Sequence, residues 1–157
     1  MMRWRETLSR LQRLAGLGRR RRWLLVEAAL WLVASRLALV MIPFPLLAQR
    51  LGTFGPPEAE SRPCASELGR ERAQVAHEVG WAVTRAARHL PVRAVCLPQA
   101  IAARIMLRRR GVPSVIHFGA AKSAGEPLEA HAWLDAAGVE VTGFPVAHRF
   151  TELGSFE

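Results

Sequence analysis

Residues 93–120, RAVCLPQAIAARIMLRRRGVPSVIHFGA, decide how this chain folds. The first half is helical, because Leu97, Ile101 and Ile105 recur every four residues on one face among Ala and Arg. Pro98 is tolerated only in the first turn, which puts the start next to Cys96. The stop is equally legible. Arg108, Arg109 and Arg110 suit the negative end of the helix dipole, and Gly111 and Pro113 then end the helix. The next stretch, VPSVIHFGA at 112–120, has lost the helical period and reads as a strand.

Downstream, LEAHAWLD at 128–135 and VEVTGF at 139–144 are two more β-type runs, separated from their neighbours by Gly-containing turns. Upstream, Leu68, Val75, Val79, Ala82, Val83 and Ala86 place an apolar face on a helix over 66–89, with Ser66 as its cap and Glu67 in its first turn. Helices first and strands after predict an α+β fold, with a small antiparallel sheet against the helices.

The region before this core is of a different kind. Residues 1–22 hold eight Arg and one Glu, whereas the whole chain carries only +9, so the body is close to neutral. Trp4, Leu8, Leu11, Leu14 and Leu17 predict a short helix over 3–17, followed by Gly18 and the run Arg19 to Arg22. Residues 23–48, WLLVEAALWLVASRLALVMIPFPLLA, are long and apolar enough to suggest a membrane span. Against that, Arg36 lies mid-segment, which costs roughly 2.5–3.5 kcal/mol in a bilayer, and Pro43 and Pro45 break the run. A helical hairpin, buried or facing a partner, is expected instead; the basic flank would also suit contact with an anionic membrane surface. GTFGPPEAESRP at 52–63 reads as a linker. The expected organisation is a helical region at 1–52, a linker at 53–65 and a core at 66–157.

With 50% apolar residues, the 157-residue chain can fill a core, which excludes a disordered or fibrous protein. Cys64 and Cys96 make neither a disulfide framework nor a zinc ribbon, and they fit a reduced, cytosolic setting. No phosphate-binding glycine loop and no metal-spaced cluster is present, so no cofactor is expected.

Cys96 is the residue with most chemical promise. The first-turn amides of its helix are unpaired and partly positive, and they favour a thiolate there. His131 lies on a strand whose alternation puts His131, Trp133 and Asp135 on one face. A Cys at a helix start and a His on a sheet form a nucleophile–base pair on an α+β frame. Gln99, one turn on, could donate to an oxyanion; His117 and Trp133 are candidates for the pocket.

CLPQA at 96–100, RRRGVP at 108–113, VIHFGA at 115–120 and HAWLD at 131–135 resemble the transglutaminase-like cysteine peptidases. Among these the chain is similar to the lasso-peptide B proteins, which remove the leader from a ribosomally made precursor. The resemblance covers essentially the whole chain. It implies a transglutaminase-like, papain-like core with Cys96 as nucleophile and His131 as base. It also implies three partners: the precursor peptide, a separate winged-helix protein that recognises the leader, and an asparagine-synthetase-like cyclase. The helical N-terminal third is the expected docking surface. The alternatives are acyl transfer by the same thiol, or a basic module for membrane or nucleic acid. The neutral body argues against nucleic acid.

The family's third catalytic residue, an Asp, does not carry over. If Asp135 faces Val139 across the turn, Trp133 faces Val141 and His131 faces Gly143, where no carboxylate stands. Glu140 then points to the wrong side, although a one-residue slip would reverse that. Asp135 is on the right face but roughly 13 Å along the strand from His131. A backbone carbonyl or Thr142 is therefore expected to orient the imidazole.

Overall fold

A computed structural model describes residues 18–56, 67–91, 95–122 and 128–156. The expected helix over 3–17, the cap Ser66 and Cys64 lie outside these residues. Helix α1, Arg19–Met41, is followed directly by α2, Phe44–Leu51. The break lies at Ile42, which is extended (φ −113°, ψ 128°) because the following Pro43 disfavours helical backbone. Pro45 then sits in the first turn of α2, where its missing N–H costs nothing. Helix α3 is Glu67–Ala87 and α4 is Cys96–Arg108.

The sheet contains β1 (Phe54–Gly55), β2 (Val115–Ala121), β3 (Glu129–Ala136), β4 (Val139–Thr142) and β5 (Thr151–Phe156), with a short 3₁₀ turn at Val146–Arg149. The strand order is β1-β5-β2-β3-β4, and all the pairings are antiparallel. This is the expected mixed α+β arrangement, with an N-terminal helix ahead of the core. Two strands depart from the sequence reading. β5 has no counterpart in it, and β1 forms inside the stretch that reads as a linker, pairing Phe54 with Phe156.

One apolar core joins the layers. Leu24, Ala28 and Leu32 of α1 meet Ala76, Val79 and Val83 of α3, and Ile101 and Met106 of α4, above Ile116, Leu134 and Phe156 of the sheet. The first helix is thus built into the same core as the rest. Arg110, at the dipole's negative end, also ties α4 to α1: its guanidinium lies 2.5 Å from Glu27 and donates to the Met106 carbonyl at 2.8 Å. Arg104 donates to the carbonyls of Ser114 (3.1 Å) and Phe156 (2.7 Å), joining α4 to the strand ends.

The register of β3 and β4 differs from the one expected. Ala136 faces Val139 and Asp135 faces Glu140, after which a bulge brings Leu134 opposite Thr142. The reason is the turn. Ala137 (φ 52°) and Gly138 (φ 74°) both take left-handed backbone, closing the hairpin in two residues instead of three. The bulge then lets Val141 and Thr142 both bury.

Candidate active site

Cys96 is the first residue of α4, after Val95 in extended backbone (φ −72°, ψ −167°). The helix closes at once, with the Gln99 amide donating to the Val95 carbonyl at 3.3 Å. The next residues bury: Pro98, Ile101 and the Ala100–Ala103 run leave Cys96 at the rim, half-buried, with a free thiol. Burial of this face is what holds the sulfur in place. The start of α4 opens onto a cleft of about 340 Å³, lined by Thr84, Ala87 and Arg88 of α3, Cys96 and Gln99 of α4, His131, Gly143 and Phe144.

His131 reaches this cleft because β4 stops at Thr142, leaving the early part of β3 at a free edge. Its Nε2 lies 2.8 Å from the Gly143 carbonyl oxygen. A carbonyl only accepts, so Nε2 carries the proton, and in the neutral ring Nδ1 is left with the lone pair. The ring is further held by Phe150, stacked at 4.8 Å and 24°, and by Trp133 at 6.1 Å and 20°.

Gly143 is required where it stands. It has φ +87°, and a Cβ there would come within 2.6 Å of the Trp133 Cβ and 2.7 Å of the Ala132 carbonyl oxygen. No larger residue lets the chain cross Trp133 and aim this carbonyl at His131. Of the two orienting groups expected, the backbone carbonyl is the one that meets the imidazole. Thr142 is buried, and its hydroxyl has no hydrogen-bond partner among the described residues.

The two carboxylates go elsewhere. Glu140 does come to the face of Asp135 through the shift in register, but it is exposed and far along β3 from His131. Asp135 lies 3.1 Å from Nε2 of His117, and Glu152 of β5 lies 2.6 Å from Nδ1 of the same ring. His117 is buried at 6% exposure and stacks on Trp133 at 5.5 Å and 8°. Neither His117 nor Trp133 is among the residues that line the cleft. His117 holds a charged cluster across β2, β3 and β5, and Trp133 lies against both imidazoles.

A family model described as transglutaminase-like superfamily matches residues 38–155. The chain belongs to the transglutaminase-like superfamily. No curated protein and no solved structure matches it significantly. Transglutaminase-like proteins are typically cysteine-based enzymes and include both peptidases and acyltransferases. The match spans the whole stretch from the end of α1 to β5, and so takes in Cys96, His131 and the cleft between them.

Several features of this transglutaminase-like site have no legible signal in the sequence. Phe150 and Glu152 come from a segment without a recognisable strand pattern, and Thr84 and Arg88 enter through the packing of α3 beside α4. The Gly143 carbonyl is a backbone atom, and only the lone glycine after a β-type run hints at it.

Proposed function

We propose that this transglutaminase-like protein is a cysteine peptidase that removes the leader from a ribosomally made lasso-peptide precursor. The observation that supports it most is a thiol at a helix start and an imidazole of defined tautomer lining one cleft. Nδ1 of His131 takes the Cys96 proton, and the thiolate adds to the scissile carbonyl. The developing oxyanion faces the positive end of the α4 dipole, where the Cys96 and Leu97 amides open the helix, with Gln99 beside them. The C–N bond then breaks: the amine on the core-peptide side leaves with the proton from His131, and the leader remains as a thioester on Cys96. Water, deprotonated by Nδ1, adds to the thioester and releases the leader carboxylate and the thiol.

The Gly143 carbonyl keeps Nδ1 directed at this task in place of the family's Asp. It supplies a dipole and no full charge, so the imidazolium is less stabilised than beside a carboxylate. A separate winged-helix recognition protein delivers the precursor, and an asparagine-synthetase-like cyclase takes up the freed core.

The test uses the full chain with precursor and recognition protein, followed by mass spectrometry. Two fragments whose masses together exceed the precursor by one water indicate hydrolysis; a fragment joined to an added amine indicates acyl transfer. Folded Cys96→Ala and His131→Ala should yield no product. Processing that survives in Cys96→Ala overturns the proposal.

A further inference from the structure

Helix α1 has two apolar faces. Leu24, Ala28, Leu32 and Ser35 are buried against the other helices. On the far side Trp23, Val26, Leu30, Leu37 and Val40 succeed one another at helical spacing, and all are at least half exposed. Leu30 is 66% exposed and Val40 68%. The stripe continues past the break through Met41, Ile42, Phe44 and Leu46, also exposed. A contiguous apolar strip of this length is far more than a monomeric surface usually leaves in water.

Charge decides what covers it. Four successive arginines, Arg19 to Arg22, open the helix immediately before Trp23, and the 22 residues at the N-terminus hold eight Arg against one Glu. The one carboxylate of α1, Glu27, is engaged by Arg110 at 2.5 Å and by Arg109 at 3.5 Å. Glu27 and Arg36 are nine residues apart and flank the stripe on its two borders. The surface is therefore apolar along its length and positive at its end and rim. An indole next to the arginines suits the headgroup level.

We infer that the outer stripe of α1 docks the protein on the surface of an anionic lipid bilayer. The helix lies in the plane of the interface, with Trp23, Leu30, Leu37 and Val40 among the upper acyl chains and Arg19 and Arg22 at the phosphates, while Arg20 pairs with Glu78 at 2.8 Å and Arg21 lies over the Trp81 ring. Spanning is a different matter. It would pull Leu24, Ala28 and Leu32 out of the protein core and carry Arg36 into hydrocarbon. A second copy is disfavoured by the same arginines, which would add like charge along the seam.

The experiment is flotation of the full chain with vesicles of phosphatidylcholine, with and without about a third phosphatidylglycerol. Binding is expected only with the anionic lipid, and it should weaken as salt rises. Leu30→Ser with Leu37→Ser should reduce it about tenfold or more, as should replacing Arg19 and Arg22 by Gln. Each variant should keep the wild-type melting temperature, since the substituted side chains are exposed. The proposal is overturned by absence of vesicle binding. It is also overturned by binding that the leucine variant leaves intact, or by a solution dimer that this variant dissolves. Vesicle binding does not depend on Cys96, so the outcome is independent of the peptidase reading.

Discussion

Stability should fall as pH rises above neutrality, and His117 is the cause. Burial opposes charge on this ring, but the hydrogen bonds and charges of Asp135 and Glu152 outweigh it and raise the pKa above 6.5. Both partners are carboxylates, so the ring satisfies both only as an imidazolium. A raised folded-state pKa gives stability that is complete below the unfolded value and is lost as pH climbs through the folded one. Replacing His117 by Leu removes two charge-assisted hydrogen bonds. At about 1.5 kcal/mol each, the low end because the Asp135 and Glu152 side chains keep 18% and 24% of their exposure, the loss is about 3 kcal/mol. For a domain of this size that lowers the melting temperature by roughly 6–12 °C. The assay is thermal unfolding monitored by circular dichroism from about pH 6 to pH 9. The wild type should lose melting temperature towards the alkaline end. His117→Leu should start lower and lack that decline. Equal melting temperatures for the two proteins at the acid end would refute the reasoning, as would a wild-type curve that rises with pH over this range.

Other consequences can be checked alongside. Gly143→Ala should cut the proposed processing of precursor by about two orders of magnitude, because the carbonyl that orients His131 must move; steady-state kinetics on the folded variant measure this. Glu140→Ala should change activity less than about twofold, whereas a large loss would make Glu140 the third catalytic residue after all. Leu32→Ala should cost about 2–5 kcal/mol in denaturant unfolding, since the side chain is fully buried and α1 belongs to the core. Arg110→Ala should cost about 1 kcal/mol in the same measurement by parting α4 from Glu27.

The order and type of most elements come from local rules. Pro98, Gly111 and Pro113 punctuate α4 whatever surrounds it, and the break at Ile42 is due to Pro43 alone. Period-2 alternation puts His131, Trp133 and Asp135 on one face without reference to any neighbour. β5 is not legible because TELGSF carries little β-branched character, and it is a strand because β2 and β1 offer it partners on its two edges. The turn after β3 is one residue shorter than its sequence suggests, and in a sheet such a slip exchanges the faces of everything beyond it.

The sequence by itself determined the pair that matters most, a cysteine where a helix begins and a histidine on a strand, because both placements depend on short-range backbone preferences. Where the carboxylates go was decided only by the tertiary structure. Asp135 and Glu152 are seventeen residues apart in sequence, yet both bond His117. The group that reaches His131 is a peptide carbonyl, delivered by a bulge and a glycine with positive φ. Hydrogen-bond partners across strands are set by register, and register is a property of the assembled sheet.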